Sequence, residues 1–209
     1  MRIRGLYAIA PECADTAQLL ERVAHALEGG VRLVQYRAKA APRARRLAQA
    51  RALVALAHRH RARLIVNDDP ELALEAGADG AHLGREDGDL GAARAILGDR
   101  LLGASCYDSL ERARAAARAG ADYLAFGSVF PSPTKPDAVR APLSLFRAAR
   151  PLGLPLVAIG GITLANAREA IRAGADSIAV LSALFDAPDV AAAARAFCSL
   201  FEERGERAR

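Results

Sequence analysis

Three groups of polar side chains in this chain have the types and spacing for anion chemistry. The first is Ser132, Thr134 and Lys135, set between Pro131, Pro133 and Pro136. Each proline fixes its own φ and restricts the residue before it, so two hydroxyls and an ammonium sit on a stiff loop. That combination suits an anion clamp; Pro, Ser and Asp are also ordinary turn residues, and this segment alone reads equally as a surface turn. The second group is Gln35, Arg37 and Lys39, which alternate with Tyr36 and Ala38. In an extended strand they share one face, with Val31 and Leu33 continuing that face inward. The third is Asn67-Asp68-Asp69-Pro70 together with Asp87. Asp69 before Pro70 fits a helix N-cap, which leaves Asn67 and Asp68 free. Two carboxylates, Asp68 and Asp87, near several cations suit Mg²⁺ shared with a phosphate. Asp87 is also placed to cap a helix.

Lysine usage sharpens this. Of 29 basic side chains only Lys39 and Lys135 are lysine. A compact ammonium differs from a planar guanidinium, and both lysines fall at strand ends. A general Arg and Ala bias explains the remainder and allows chance for these two.

The elements that must carry these groups alternate β-rich runs with Ala-, Leu- and Arg-rich helical runs. Strands are predicted at Leu6–Ala10, Val31–Tyr36, Arg63–Asn67, Gly80–Leu83, Leu101–Ser105, Asp122–Phe126, Leu156–Gly160 and Ser177–Leu181. Such alternation argues a parallel sheet covered by helices. The triplets Gly77-Ala-Asp79, Gly120-Ala-Asp122 and Gly174-Ala-Asp176 each close a helix and open an even-numbered strand; Gly29-Gly30-Val31 is a looser copy. Eight strands with that repeat predict a closed α/β (β/α)₈ barrel, a TIM barrel, with residues 1–209 as one catalytic domain. An open doubly wound sheet lacks its G-x-G-x-x-G turn.

In such a barrel chemistry sits at the C-terminal strand ends, and all three groups fall there. So do Ser105, followed by an Asp108-Ser-Leu-Glu111 capping box, and Gly160-Gly161-Ile-Thr163, with Thr163 as N-cap. Leu181-Ser182 follows the last strand. Glycines after strand seven and a hydroxyl after strand eight match the recurrent phosphate site of this fold. His82, inside an apolar run, is expected to be buried and hydrogen-bonded.

Composition narrows the classes. The net charge is +5, but the arginines are spread over helical faces, with an apolar stripe Leu47, Ala50, Val54 and Ala57 under the most basic run. Without aromatic interleaving or a DNA-binding motif, no nucleic-acid partner is expected. No apolar run is long enough for a bilayer, so no membrane partner is expected. Three separated cysteines and an N-terminus that enters a strand directly predict a cytoplasmic, reducing compartment. A homo-oligomer is compatible with the sequence.

The ordered motifs resemble the thiamine-phosphate synthase family from Tyr7 to about Phe185. They are Gln35-Tyr-Arg-Ala-Lys39, Leu64-Ile-Val-Asn-Asp68, Asp79-Gly-Ala-His-Leu-Gly-Arg-Glu-Asp87, Gly103-Ala-Ser105, Ala121-Asp-Tyr123, Pro131-Ser-Pro-Thr-Lys-Pro136, Ala158-Ile-Gly-Gly-Ile162 and Val180-Leu-Ser182. The resemblance implies two small-molecule substrates, an aminopyrimidine-methyl pyrophosphate and a (carboxy)thiazole phosphate. They condense in a Mg²⁺-dependent, dissociative displacement at carbon. It also implies the site residues. Gln35, Arg37, Lys39, Asn67, Ser105 and Lys135 hold the pyrimidine pyrophosphate, with Arg37, Lys39, Ser105 and Lys135 acting in catalysis. Asp68 and Asp87 bind Mg²⁺. Ser132, Pro133, Thr134, Gly161, Leu181 and Ser182 hold the thiazole phosphate. The chain departs from the family's habit at Ser132, at Gly127-Ser128, where only loop stiffness is expected to change, and at Cys106-Tyr107, which either reshapes the pyrimidine pocket or has no effect. Two rivals remain. A thiazole tautomerase-like barrel would need a proton-transfer residue and no pyrophosphate clamp. A non-catalytic phosphate-binding regulator would need no paired acids.

Overall fold

The computed structural model describes residues 3–131 and 139–206. Eight strands form a closed barrel: β1 (Gly5–Ile9), β2 (Leu33–Tyr36), β3 (Arg63–Asn67), β4 (Gly80–Leu83), β5 (Leu101–Tyr107), β6 (Tyr123–Phe126), β7 (Leu156–Ile159) and β8 (Ser177–Val180). Each pairs in parallel with the next, and β8 returns to β1 with Tyr7 opposite Ala179. The helices between them are α1 (Thr16–Glu28), α2 (Arg43–Arg59), α3 (Pro70–Ala76), α4 (Leu90–Leu97), α5 (Leu110–Arg118), α6 (Ser144–Ala149) and α7 (Ala167–Ala173). After β8 come the short α8 (Ser182–Phe185) and the long α9 (Val190–Glu206). This is the expected (β/α)₈ barrel.

Period-two alternation divides the core into two layers. In β1, Leu6 and Ala8 face the helices, while Tyr7 and Ile9 face the barrel axis. The axis is filled by Leu33, Ile65, Tyr123, Ala125, Val157 and Ala179 besides. Small outer residues, such as Ala50 and Ala57 of α2, let the helices lie close on the sheet. The arginines of α2 lie mostly in solvent, as its apolar stripe predicts, but Arg46 is half-buried and pairs with Asp69 at 3.0 Å.

The Gly-Ala-Asp repeat has a physical basis. Gly77, Gly120 and Gly174 have positive φ, which turns the chain from helix to strand. Each aspartate then reaches back to the preceding strand. Asp79, Asp122 and Asp176 accept the backbone N–H of Leu64, Leu102 and Leu156 at 2.8, 2.7 and 2.9 Å. A side chain from the helical segment before that preceding strand meets each of them: His58 on Asp79, Arg94 on Asp122 and Arg150 on Asp176. Those carboxylates thus staple the barrel's N-terminal rim. Asp122→Ala is expected to destabilise the fold by about 1–3 kcal/mol, because the Leu102 N–H loses its acceptor. Chemical denaturation measures this.

Boundaries differ in instructive places. β2 begins at Leu33, and Val31 packs in the outer layer, not the barrel interior. The residue after the left-handed Gly30 still belongs to the turn. β5 runs on to Tyr107 through an irregularity after Ser105. Ser109, not Asp108, caps α5 by accepting from the Arg112 N–H. Thr163 caps nothing: its N–H is taken by Asn166 Oδ1, and α7 starts at Ala167.

Candidate active site at the barrel mouth

The floor of the mouth is built by four consecutive hydrogen bonds across the axis. Gln35 Nε2 donates to the Tyr7 hydroxyl at 2.9 Å, which meets the Tyr123 hydroxyl at 2.9 Å. Tyr123 meets His82 Nδ1 at 3.1 Å, and His82 Nε2 meets Ser105 Oγ at 2.8 Å. All five side chains are on interior-facing positions of β1, β2, β4, β5 and β6. Gly103 makes the crossing possible. A Cβ there would lie 2.1 Å from the Tyr123 ring and 2.4 Å from His82 Nδ1. Burial pushes both phenols up and pushes His82 down to about 4, so the imidazole is neutral. His82 is buried and hydrogen-bonded, as its apolar setting implied.

Above this floor stand the charged groups. Asn67 ends β3 half-buried, one step above Ile65 on the same face. Arg37 is half-buried and makes no ion pair among the described residues. Lys39 Nζ lies 3.0 Å from Asp68 Oδ2. Asp68 is held in the left-handed region, φ 65°, which few side chains other than Asn and Asp adopt readily. Its carboxyl is pushed above the usual carboxylate range, first by burial and then by Asp87; Lys39 opposes this only in part. Asp87 is not a helix cap. Asp89 caps α4, while Asp87 Oδ2 accepts the Gly84 N–H at 2.7 Å. Among the described residues no cluster of three or more His, Cys, Asp or Glu could hold a metal.

The neighbouring loops fix this arrangement. Cys106 points into the outer layer, where burial raises its thiol to about 12, so it does not touch the pocket. The Tyr107 ring lies between the Arg85 and Arg112 guanidiniums, 4.9 and 5.4 Å from its centroid, and its hydroxyl accepts the Arg85 N–H. It therefore props the loop that carries Asp87. Ser128 does more than alter loop stiffness. Its hydroxyl donates to the Phe130 carbonyl, and it packs where a Cβ on Gly160 would stand.

Two backbone bonds, Val129 N–H to Ile159 and Phe130 N–H to Gly160, stitch the loop after β6 to the loop after β7. Gly161 has φ 64°, and a Cβ on it would come within 2.2 Å of the Pro131 carbonyl oxygen. Its first task is this loop contact. Gly161→Val is expected to displace the segment that leads to Ser132. Overpacking and backbone strain should cost about 1–3 kcal/mol in the same variant, read as a lower melting temperature. Ser132, Pro133, Thr134 and Lys135 themselves lie outside the described residues. Leu181 packs on the interior cluster, and Ser182 begins α8 half-buried at the same rim.

The structure brings Gln35 and Ser105 to the two ends of one polar chain, and Lys39, Asp68 and Asp87 to one corner of the mouth. Sequence reasoning missed Tyr7, Tyr123 and Gly103 as makers of the floor. The signal was weak but present: Tyr7 alternates with Leu6 and Ala8, and Gly103 interrupts an apolar strand.

Known proteins resemble this chain throughout its length. The family model described as thiamine monophosphate synthase matches residues 6–184. The thiamine-phosphate synthase of Chromobacterium violaceum is 57% identical over 204 residues, covering 97% of this chain and 99% of that protein. The thiamine-phosphate synthase of Thiobacillus denitrificans is 58% identical, covering 97% of each. Among solved structures, the thiamine phosphate pyrophosphorylase from Pyrococcus furiosus superposes with a TM-score of 0.85 at 39% identity, covering 95% of this chain and 96% of that one. The chain therefore belongs to the thiamine monophosphate synthase family and is a transferase of that kind.

Proposed function

We propose that the chain, as one catalytic domain over residues 1–209, joins an aminopyrimidine-methyl pyrophosphate to a thiazole phosphate, carboxylated or not, and releases pyrophosphate. The observation that carries this reading is the corner where Lys39, Asp68 and Asp87 meet, above a polar floor ending in Gln35 and Ser105. The floor offers uncharged hydrogen-bonding groups to a flat polar ring. The corner offers cations and paired acids to a pyrophosphate.

The acids fit Mg²⁺. Two adjacent carboxylates, one half-buried with its carboxyl pushed up, are a pair short of positive charge that Lys39 does not fully supply. Mg²⁺ is commonly held by one or two carboxylates plus substrate phosphate oxygens and water. Bound there, it would neutralise charge on the pyrophosphate. Asp68 and Asp87 would hold it.

The chain's own residues do the remainder. Arg37, Lys39 and Lys135 stabilise the negative charge that gathers on pyrophosphate as its bond to the pyrimidine methylene breaks. Gln35, Asn67 and Ser105 orient the pyrimidine, whose ring electrons stabilise the methylene cation left behind. Ser132, Pro133, Thr134, Gly161, Leu181 and Ser182 hold the thiazole phosphate so that the ring nitrogen lies in line to capture that cation. No protein nucleophile is required. Both nitrogens of His82 are already engaged, which disfavours a tautomerase that moves a proton through it. We place the reaction in the cytoplasm, with no nucleic-acid or membrane partner; no described helix is long and apolar enough to cross a membrane.

The test is product formation with each substrate alone, then both, with Mg²⁺ and with EDTA. Thiamine phosphate is expected from the complete mixture only. Absence of product there would reject the reaction; undiminished turnover in EDTA would reject the metal assignment.

A further inference from the structure

Each inner member of the floor chain serves two hydrogen bonds with one proton. A tyrosine has one O–H and a neutral imidazole one N–H. Tyr7, Tyr123 and His82 are all uncharged at neutral pH because burial disfavours their ionised forms. Four links filled by one proton each admit two orders only. If Gln35 donates to Tyr7, then Tyr7 donates to Tyr123, Tyr123 to His82 Nδ1, and His82 Nε2–H to Ser105. Ser105 then keeps its own proton for the substrate, and Gln35 Oε1 is left to accept. In the opposite order Gln35 accepts from Tyr7, His82 carries its proton on Nδ1, and Ser105 gives its proton inward. The Gln35 Nε2 contact to Tyr7 selects the first order.

We infer that the Gln35–Tyr7–Tyr123–His82–Ser105 chain is a polarity relay, in which Tyr7, Tyr123 and His82 are positioning residues that hold Ser105 as a donor and Gln35 as an acceptor toward the substrate ring. The relay makes the two ends interdependent although they sit on different strands, β2 and β5. It selects a heteroaromatic ring with an amino donor toward Gln35 and an acceptor nitrogen toward Ser105. A ring bearing an oxo group in place of the amine turns an acceptor on an acceptor. This deepens the proposed function and rests on it for the identity of the ring.

Two measurements test it, one of them without any substrate. In the free protein, nitrogen-edited NMR of the histidine ring should find His82 as the Nε2–H tautomer. Gln35→Glu places a carboxylate, which when ionised only accepts, at the start of the chain. At mildly alkaline pH it should reverse the order and move the His82 proton to Nδ1, three links away. In Gln35→Glu with Tyr123→Phe, the tautomer should match Tyr123→Phe alone. An Nδ1–H tautomer in the wild type, or a tautomer indifferent to residue 35, overturns the relay.

The second measurement is calorimetric binding of the aminopyrimidine pyrophosphate and its oxo analogue. Tyr123→Phe, with folding checked by melting, should erase most of a wild-type preference of about tenfold for the amino ring, the worth of one hydrogen bond. Equal weakening of both ligands would mean that Tyr123 is only structural, and overturns the proposal. If the wild type binds neither ligand, the proposed substrate is wrong, and the tautomer experiment alone decides the relay.

Discussion

Asp68→Asn is expected to melt at a higher temperature than the wild type in EDTA, yet to lose the stabilisation that Mg²⁺ and pyrophosphate confer. Turnover should fall on the order of 10²-fold or more, at least the loss typical of disturbing a metal site. The stability half of this follows from charge. A carboxyl whose folded pKa is raised binds its proton more tightly in the native state than in the unfolded chain. The penalty is absent below the unfolded pKa and present above the folded one, so at neutral pH the charge works against folding. Asn removes that charge and keeps a residue type that tolerates φ 65°. The lost Lys39 pair offsets little, because Lys39 is 56% exposed and such pairs are worth at most about 1 kcal/mol. Thermal melting with and without Mg²⁺ and pyrophosphate separates the two effects. A lower melting temperature in EDTA would mean that Lys39 alone satisfies Asp68. Full turnover would remove Asp68 from the metal site.

The barrel was legible because its signals are local and repeat. The Gly-Ala-Asp triplets combine a left-handed glycine with a carboxylate that accepts the N–H of Leu64, Leu102 or Leu156. Both requirements fall within three residues, so a linear reading finds them. Val31 was misplaced for a related reason: strand alternation was extended into a turn that Gly30 still governs. The mouth was legible in part. Gln35, Asp68 and Ser105 are polar residues interrupting or ending apolar strands, which stands out in any window. The floor between them was not legible. Tyr7 and Tyr123 are 116 residues apart and each reads as ordinary core; only closure of the barrel sets their hydroxyls 2.9 Å apart. Likewise Lys39 and Asp68 were both placed at the mouth, but the loops after β2 and β3 had to be seen together before they formed one corner. Ser128 was read through backbone stiffness alone. Its hydroxyl contact with Phe130 and its packing on Gly160 depend on the loop after β7, which its own neighbours in sequence do not reveal.

Lys39 and Lys135 are expected to give the largest catalytic losses of any single charge removal here. In the sequence Lys39 follows β2 and Lys135 follows β6, and the proposed reaction directs both to one departing pyrophosphate. Their charge matters most as negative charge accumulates on that group, so their loss should lower kcat more than it weakens substrate binding. Removing one such donor typically costs on the order of 10²–10³ in kcat. Lys39→Gln should carry a second signature. Asp68 then lacks the one positively charged partner it has among the described residues, 3.0 Å away, so the effects of Lys39→Gln and Asp68→Asn should be strongly non-additive. In the sequence Lys135 stands between Pro133 and Pro136, a residue type that restricts φ and the residue before it. Lys135→Arg should therefore stay clearly impaired, since a planar fork on that stem cannot put its charge where a compact ammonium sits. Lys135→Gln should be worse still. Single-turnover formation of thiamine phosphate by each variant, with folding verified by melting, measures the chemical step directly. A folded Lys135→Arg that matches the wild type would show that any cation suffices there, and that lysine persists at this position of an arginine-rich chain without a chemical reason.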